Sequence, residues 1–394
     1  MQVVCAALIA GASSLAAQND SRPREAARRP ALSRELRDSL RHILTAAVAD
    51  HAFPGAYAVV GDSRGILAEA GAGHLDWAPS PVPSRHTLWD IASLTKVVGT
   101  TTALARLVER SKVALDSPVQ RYVPDWTGPG KEKVTVRHLL THTSGLPAFK
   151  PYDQQTHDPD SLAKLIFATP LERAPGDSMV YSDIGAFMMG QIVERVSGKR
   201  LDEYLRVNVF KPLAMRETMY NPPRSLWSRV APTEVDTLRG GLVRGKVHDE
   251  RAYYLGGMAA HAGLFTSAAD LSRFAEMLLH GGILDGHRVL RASTIREFTA
   301  YADSSRSNRA LGWQKPPAAW AGKFMSSRAY GHTGFTGTSI AIDPDLDLYI
   351  ILLSNRVNPT RNNPKIGDVR AHLADAVVTT VRARRGPTIN VEHR

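Results

Sequence analysis

The chain of 394 residues contains a single cysteine, Cys5. It lies within residues 1–17, which carry no charged side chain, include an apolar core at residues 3–10 and end in small residues. This pattern is typical of a signal peptide, although the usual basic start is missing, and the stretch is too short to span a bilayer stably. We expect it to be removed, which gives a periplasmic or secreted protein with no stable membrane span. A mature chain without cysteine excludes disulfides, thiolate catalysis and cysteine metal sites.

Acidic residues are also few, with 38 Asp and Glu against 49 Lys and Arg, so the formal charge is +11 at pH 7. A basic balance of this size can indicate a nucleic acid or an anionic surface as partner. The arginines are scattered, apart from small groups near the two ends of the chain, and no nucleic-acid-binding motif accompanies them. We therefore interpret the charge as a solvated basic surface and predict no nucleic-acid partner.

The sequence has no complete metal-binding motif. His138 and His142 are four residues apart, a spacing that places two ligands on one face of a helix, but Leu139 stands where the H-E-x-x-H motif has its glutamate. Fourteen histidines make such pairs easy to find by chance. We predict no metal ion and no cofactor.

Hydrophobic residues make up 43% of the chain, enough to fill the core of one large two-part domain. Strand-like and terminal helical patterns occupy residues 33–92 and 305–384, whereas residues 93–304 are mainly helical. We expect one sheet assembled from both ends of the chain, with an all-helical subdomain set against it. The predicted limits are a signal peptide at 1–17, a mobile linker at 18–32, the folded domain at 33–384 and a tail at 385–394.

Ser93 and Lys96 lie at the start of a segment that stays apolar to Val108. On a helix, this spacing places the lysine amine against the serine hydroxyl. Burial disfavours the ammonium form, so some of the lysine can be the neutral amine that withdraws the serine proton. The pair is therefore a candidate nucleophile with its base.

Two other serines match nucleophile patterns. Ser161 and Lys164 repeat the S-x-x-K spacing, but they follow Asp158, so we interpret Ser161 as the N-cap of a surface helix. Ser63 lies in a G-x-S-x-G segment, the nucleophile elbow of α/β-hydrolases. That elbow needs a helix after the serine, and here a strand pattern follows, which favours a hairpin turn. Neither serine is predicted to be catalytic.

Further motifs accompany Ser93 and Lys96. Tyr181 and Asp183 are two residues apart on a predicted turn, and His332 begins a His-Thr-Gly segment on a strand pattern. The three elements resemble the S-x-x-K, Y-x-N and K-T-G motifs of the serine β-lactamase and penicillin-binding-protein superfamily, in the class C arrangement shared with DD-carboxypeptidases and family VIII-type esterases. Further segments similar to that branch are residues 134–147, 256–265 and 334–339, and the resemblance extends over about residues 35–384.

The resemblance implies an α/β (α+β) fold of the β-lactamase/transpeptidase type, with an antiparallel sheet flanked by helices and an all-helical subdomain. It also implies that Ser93 attacks a carbonyl and forms an acyl-enzyme, while Lys96 and Tyr181 share the proton handling. A phenol with its ordinary pKa near 10 is a poor base, so Tyr181 needs an ammonium such as Lys96 nearby. The backbone N–H groups of Ser93 and Phe335 would form the oxyanion hole.

Two residues depart from the family pattern. Asp183 stands where Asn is usual, and an ionised carboxylate accepts hydrogen bonds but cannot donate one to a substrate carbonyl, which weakens the case for an efficient β-lactamase. His332 stands where many members have Lys. We expect its charge to change within the working pH range, so that recognition of carboxylate substrates depends on pH. Thr333 or Arg356 would then have to help hold an anion.

The sequence predicts a serine hydrolase that works through an acyl-enzyme and resembles penicillin-binding D-alanyl-D-alanine carboxypeptidases. A carboxylesterase or weak β-lactamase of the same fold is an alternative, as is a non-catalytic protein that binds penicillin or peptidoglycan peptides. The substrate would be a D-Ala-terminated peptide, a β-lactam or an ester. His261 and residues 248–250 are interpreted as a hydrogen-bonded loop at the rim of the cleft. The predicted substrate-contacting residues are Phe335, Asp183, His332, Thr333, Gly334 and Arg356.

Overall fold

The structure is a computed structural model that describes residues 21–302 and 307–385, with backbone only for residues 21–28. The predicted signal peptide and all but the first residue of the predicted tail lie outside the described residues. The helices are α1 (Ser21–Ala49), α2 (Thr102–Glu109), α3 (Val136–Leu140), α4 (Pro159–Ala168), α5 (Asp183–Ser197), α6 (Leu201–Leu205), α7 (Glu250–Tyr254), α8 (Ala268–Leu279), α9 (Ala292–Thr299) and α10 (Ile366–Arg385). The strands are β1 (Gly55–Asp62), β2 (Gly65–Gly73), β3 (Trp89–Asp90), β4 (Met219–Tyr220), β5 (Val235–Asp236), β6 (Gly241–Leu242), β7 (Leu264–Thr266), β8 (Ile283–Leu284), β9 (His287–Arg288), β10 (Tyr330–Thr333), β11 (Ser339–Asp343) and β12 (Leu348–Ser354). Short π-helical segments span Lys96–Thr101 and Arg206–Phe210, and 3₁₀ turns span Val119–Arg121, Lys131–Lys133, Tyr152–Gln154, Arg224–Arg229, Thr237–Arg239 and Ala319–Ala321.

The central sheet has the strand order β10-β11-β12-β1-β2, and every neighbouring pair is antiparallel. Strands β1 and β12 come from opposite ends of the chain and pair with each other inside the sheet, with Val59 opposite Ile351. Both strands are buried along their whole length, which explains their almost continuous apolar sequences. The predicted α/β fold, with one antiparallel sheet assembled from both ends, is confirmed.

Alternate residues of the central strands point to opposite faces of the sheet. Val60 packs in one core with α1 and α10, where α1 contributes apolar residues at helical spacing such as Leu36 and Leu40. Val59 packs in the other core, together with α8 and the rest of the helical layer. The sheet therefore separates a terminal helix pair on one face from the helical part of the molecule on the other. No helix among the described residues has both the length and the apolar character that a bilayer crossing needs.

The first helix begins at Ser21, so the structure differs from the prediction that residues 18–32 form a linker. The predicted boundary is wrong because this part of the helix has contacts with the domain. Arg29 Nη1 donates to Asp62 Oδ2 at 2.6 Å, and Asp62 is completely buried. Leu32 is also buried, against the core beneath α1.

The sequence predicted that the inserted part is all-helical. This prediction is wrong, because the inserted part also contains strands. Strands β3, β7 and β4 form a small antiparallel sheet, and β5–β6 and β8–β9 form two-stranded ribbons. Strands of two or three residues carry no readable periodicity, which is why the sequence did not indicate them. Helix α8 also packs on β1 and β12, so it covers the central sheet rather than belonging to a separate helical unit.

The two serines that matched other nucleophile patterns have structural positions. Ser63 lies in the β1–β2 hairpin turn, as predicted, and its Oγ donates to Asp347 Oδ2 at 2.9 Å. Ser161 lies inside α4 and is exposed. The N-cap of that helix is Asp158, whose carboxylate accepts from the Ser161 N–H, so the prediction that Ser161 is the cap is wrong. An ionised carboxylate is as good an acceptor for these N–H groups as a hydroxyl.

Asp90, at the end of β3, ties together the segments around the candidate nucleophile. Its buried carboxylate accepts from the N–H groups of Ala92 at 2.8 Å and His248 at 2.6 Å. Its carbonyl oxygen accepts from Thr336 Oγ1 at 2.7 Å. Ala92 itself has φ +45°, an unusual conformation for a residue with a side chain. These contacts fix the turn that carries the next residue, Ser93.

Candidate active site

Ser93 lies in a turn at the start of the helical segment that continues into the π-helix at Lys96–Thr101. The Lys96 N–H donates to the Ser93 carbonyl oxygen at 3.0 Å, which folds one helical turn between the two residues. In this turn, Lys96 Nζ donates to Ser93 Oγ at 3.0 Å. The S-x-x-K spacing thus brings the amine against the hydroxyl, as the sequence predicts.

The charge of Lys96 differs from the sequence-based expectation. Its side chain is 2% exposed, and burial alone would lower its pKa. Asp183 Oδ1 lies 2.8 Å from Nζ, however, and Asp183 together with Tyr181 outweighs burial and raises the pKa of Lys96. The expectation that burial produces a neutral amine is therefore wrong, because burial was weighed without the contact between Lys96 and Asp183. Lys96 is an ammonium that donates to Ser93.

Tyr181 lies beside this pair. Lys96 Nζ is 4.9 Å from the centre of the Tyr181 ring. The phenol oxygen is buried and has no hydrogen-bond partner within the described part of the chain. A buried hydroxyl normally has a partner, so this oxygen is open to exchange a proton with Ser93 or with a bound substrate.

His142 holds the turn that carries Tyr181. Its carbonyl oxygen accepts from the Val180 N–H at 2.8 Å, and its Nδ1 accepts from the Ser182 N–H at 3.1 Å. Its ring lies 4.6 Å from the Tyr181 ring, centre to centre. His138 caps α3 instead, where Nδ1 accepts from the Thr135 N–H at 3.2 Å. The two histidines thus have separate structural roles, which accounts for their spacing without a metal.

Asp183 begins α5 and contacts two cations. Its Oδ1 pairs with Lys96, and its Oδ2 lies 3.4 Å from Arg251 Nη2. Arg251 also contacts Asp249 at 3.3 Å, and Asp249 Oδ1 lies 3.0 Å from His261 Nε2. The ligand-type atoms of Asp183, Asp249 and His261 lie within 4.8 Å of one another. Because Lys96 and Arg251 already neutralise the two carboxylates, we interpret this cluster as an ion-pair network.

His332, on β10, is buried beside Tyr181. Its Nδ1 lies 2.8 Å from the Thr333 carbonyl oxygen, which can only accept, so Nδ1 carries the proton. Nε2 has no partner within the described residues and presents a lone pair. Burial, with the positive charges of Arg309 and Lys96, holds the pKa of His332 well below its ordinary value. The expectation that its charge changes in the working range is therefore wrong, because the sequence indicated neither the burial of His332 nor the position of Arg309.

The turn after β10 approaches the nucleophile turn closely. A Cβ on Gly334 would lie 2.4 Å from the Ile91 carbonyl oxygen, so only glycine fits there. Arg370, from α10, donates through Nη2 to the carbonyl oxygens of Gly334 at 2.8 Å and Thr338 at 2.7 Å. Within the part of the chain that the structure describes, neither the Ser93 N–H nor the Phe335 N–H donates a hydrogen bond. Both groups are available to a substrate oxyanion.

Arg356 has a different position from the one expected of a free anion-binding group. Its Nε donates to the Phe335 carbonyl oxygen at 2.8 Å, and its guanidinium lies 4.4 Å from the Phe335 ring. Nη1 donates to the carbonyl oxygens of Arg361 and Asn363. Arg356 therefore supports the loop that carries the candidate oxyanion N–H, although it also lines a cavity.

Two cavities meet at Ser93, Tyr181 and Phe335. The larger, of about 830 Å³, also contains Asp183, Asp249 and Arg251 in its wall. The smaller, of about 350 Å³, is basic. Its lining includes Arg309, His332, Thr333, Gly334, Arg356 and Arg370.

Arg309 has the clearest unsatisfied polar groups of the smaller cavity. It is 7% exposed, and its Nε and Nη1 have no partner among the described residues. Sequence reasoning missed Arg309, Arg370 and Arg251, because no motif marks a single arginine in a chain that has so many. The one available signal was Asp183, since a carboxylate in place of an amide requires a cation nearby.

The site thus combines a serine hydroxyl, a contacting ammonium, a phenol and two backbone N–H groups at the junction of two cavities, and the phenol and the N–H groups have no partner in the described part of the chain. These are the groups that acyl transfer through a serine ester requires. The fold and the site together define a serine hydrolase.

Comparison with known proteins identifies the family. A family model described as Beta-lactamase matches residues 40–375, so the chain belongs to the beta-lactamase family. Two curated relatives are named "Putative D-alanyl-D-alanine carboxypeptidase". The one from Salmonella agona (strain SL483) is 31% identical over 312 residues, covering 71% of this chain and 72% of the relative. The one from Escherichia coli (strain K12) is 32% identical over 310 residues, covering 71% of each.

Solved structures support the same fold. A penicillin-binding protein homologue from Caulobacter crescentus superimposes with a TM-score of 0.71 at 23% identity, covering 88% of this chain and 97% of the other. The hydrolase EstCE1, described as having promiscuous acyltransferase activity, also gives a TM-score of 0.71, at 20% identity, covering 88% and 99%. At these identities the likeness concerns the fold alone.

Proposed function

We propose that this serine hydrolase is a carboxypeptidase that acts on peptides ending in D-alanyl-D-alanine. The observation that carries the proposal is Arg309, a buried guanidinium that lines the small cavity beside Ser93 and has two nitrogens without a partner among the described residues. A buried guanidinium without an acceptor is costly, and a carboxylate is its best geometrical partner. A substrate whose leaving group bears a free carboxylate fits this side of the nucleophile. The names of the curated relatives agree with this choice.

The proposed reaction has two steps. Ser93 Oγ attacks the peptide carbonyl carbon, the Tyr181 hydroxyl takes up the serine proton as it passes its own proton to the leaving nitrogen, and the N–H groups of Ser93 and Phe335 bind the oxyanion. The C–N bond then breaks, the protonated leaving group departs as a neutral amine, and an ester to Ser93 remains. Water attacks this ester and releases the shortened peptide, which restores the serine hydroxyl. Throughout, the Lys96 ammonium stabilises negative charge that develops on the serine and tyrosine oxygens.

Arg309→Gln tests the assignment. We expect kcat/KM for a peptide ending in D-Ala-D-Ala to fall by about 10- to 100-fold, the range of one charged hydrogen-bond contact. Hydrolysis of the same peptide with an amidated C-terminus, and of a small uncharged ester, should change little. Arg328→Gln is the matched control, because Arg328 pairs with Asp345 at the exposed surface. Equal losses on the acid and the amide would contradict the proposal.

An esterase with a bulky apolar acyl group is the second candidate. Large exposed apolar side chains gather at the mouth of the larger cavity, where Leu238 is 91%, Phe149 55% and Phe335 49% exposed. Such a rim favours apolar acyl chains. Turnover of long-chain p-nitrophenyl esters, together with no cleavage of D-Ala-D-Ala peptides, would favour this activity over the carboxypeptidase.

We also propose that the protein is exported to the periplasm or secreted. The support is the uncharged, apolar residues 1–17 and the single cysteine, which lies among them. N-terminal sequencing of protein from the extracytoplasmic fraction should find a start after this segment. An intact Met1 on a cytoplasmic product would contradict export.

A further inference from the structure

Five residues beside the nucleophile form a closed ring of contacts. Asp183 bonds Lys96 at 2.8 Å, and Arg251 bridges Asp183 to Asp249. Because a carboxylate only accepts, His261 donates from Nε2 to Asp249, at 3.0 Å. The His261 carbonyl oxygen then accepts from Lys96 Nζ at 3.1 Å, which closes the ring.

The formal charges alternate around this ring. Lys96 and Arg251 are positive, Asp183 and Asp249 are negative, and the four charges sum to zero. The ring is poorly solvated, with Lys96 2%, Arg251 18% and Asp249 20% exposed. Charges interact more strongly there than in water, so each member affects the protonation of the others. Consistent with this, the pKa of Asp249 is held well below its usual range, with burial opposing and His261 and Arg251 favouring the ionised form.

We propose that Asp249, Arg251 and His261 are positioning residues that set the protonation of Lys96, and thereby the pH range in which Ser93 can be acylated. Asp249 adds negative charge that favours the ammonium, and Arg251 adds positive charge that opposes it. His261 fixes Asp249 through its side chain and Lys96 through its backbone. The proposal depends only on a serine hydrolase mechanism at Ser93 and not on the identity of the substrate.

Other titratable or charged groups also face Lys96 from the elements packed around it. Tyr181 and His142 lie on the turn before α5 and on the segment after α3, and His332 and Arg309 lie on the side of β10. These four residues are the same in wild type and in variants of Asp249 and Arg251. A difference between the pH profiles of such variants therefore reports the charges of the ring.

The test measures how fast a fluorophosphonate acylates Ser93 between about pH 6 and 10. In this reaction a bond forms between Ser93 Oγ and phosphorus as fluoride leaves. The serine proton is passed on through the Tyr181 hydroxyl, as in the proposed reaction. Asp249→Asn removes a negative charge, so we expect the pH profile to move to lower pH by about one unit. Arg251→Gln removes a positive charge and should move it about as far to higher pH. The double variant should return close to the wild-type profile.

Asp236→Asn is the matched control, because Asp236 lines the same larger cavity but pairs with Arg239 outside the ring. It should leave the profile in place. Asp249→Glu keeps the charge, so its profile should stay in place even if its rate falls. The proposal is overturned if the single variants lower the rate at every pH without moving the profile, or if both move it in the same direction. Since the probe carries no peptide, this result is independent of the carboxypeptidase test.

Discussion

A carboxylate at position 183 decides the charge of Lys96. The expected cost of Asp at this position was a lost amide donor, and the structure adds a direct contact with the ammonium that contacts Ser93. A carboxylate in this place stabilises the ammonium, whereas an amide would leave it buried with less compensation. Asp183 is therefore part of the machinery around Ser93.

Asp183→Asn should lower acylation by both a cephalosporin and a short ester, because Lys96 loses its ion-pair partner. We expect the free energy of unfolding to fall by about 1–3 kcal/mol, the range for a buried group left without its partner. Urea denaturation and single-turnover acylation measure the two effects. In Asp125→Asn, which breaks an exposed pair with Arg195, stability should fall by less than about 1 kcal/mol. A gain with the cephalosporin alone would show that the missing amide donor limits this site.

Among single residues, the sequence predicted those that belong to a recognisable motif. Ser93, Lys96 and Tyr181 have fixed spacings or companions, and the structure brings them together. Arg309 and Arg251 could not be predicted, because each is one of 49 basic residues and becomes distinctive only through its burial and neighbours. The protonation of Lys96 and His332 was missed for the same reason, since it depends on contacts between distant segments.

Helix α10 supports the site from the far side of the sheet. Its Arg370 reaches the turn between β10 and β11 and binds two carbonyl oxygens there. Burial, with Arg356 nearby, lowers the pKa of Arg370 to about 9. An arginine is suited to this position because its planar guanidinium can serve two acceptors at once. The helix thus helps to hold the Phe335 N–H in place.

Arg370→Gln should lower kcat for a small uncharged ester by about 10-fold or more, because the candidate oxyanion N–H of Phe335 loses its support. KM for that ester should change little. This separates Arg370 from Arg309, whose substitution should spare uncharged substrates. Arg382→Gln is the control on the same helix, because Arg382 donates to the Phe324 carbonyl oxygen at an exposed position. An unchanged kcat in Arg370→Gln would contradict the supporting role.

Elements with a strong pattern were predictable and short ones were not. The apolar strands β1 and β12 and the terminal helices have the length to show their periodicity. The small sheet of β3, β7 and β4 has strands of two or three residues, which sequence alone cannot distinguish from loops. The start of α1 was missed because residues 21–32 are rich in arginine and contain Pro23 and Pro30, while the contact of Arg29 is with the distant Asp62.

For the whole molecule, buried histidines make stability depend on pH. Burial, with nearby cations, holds the pKa of His142 and of His332 well below the ordinary value of about 6.5. Below about pH 6.5 the histidines of the unfolded chain bind protons that the folded protein excludes. The contribution of these histidines to the free energy of unfolding is therefore complete above about pH 6.5 and decreases as the pH falls.

The expected slope is up to about 1.4 kcal/mol per pH unit for each histidine, between about pH 6.5 and 5. Burial raises the pKa of Asp270 to about 6, which acts in the opposite direction, so the comparison must be between variants. Urea denaturation at several pH values should show a smaller slope in His332→Gln than in wild type. The exposed His287→Gln should keep the wild-type slope, and identical slopes in all three proteins would contradict the prediction.

The pairing of β1 with β12 also has a consequence for the order in which the protein acquires its activity. Val59 can pair early with Glu69 of β2, but its partner on the other side, Ile351 of β12, is synthesised only near the end of the chain, shortly after Phe335. Contacts between such distant parts of a chain form late, because closing the long loop between them costs entropy first. A nascent chain therefore carries its nucleophile long before it can bind an oxyanion. We therefore expect the enzyme to stay inert on the ribosome and hydrolysis to begin only when the last strands close the sheet.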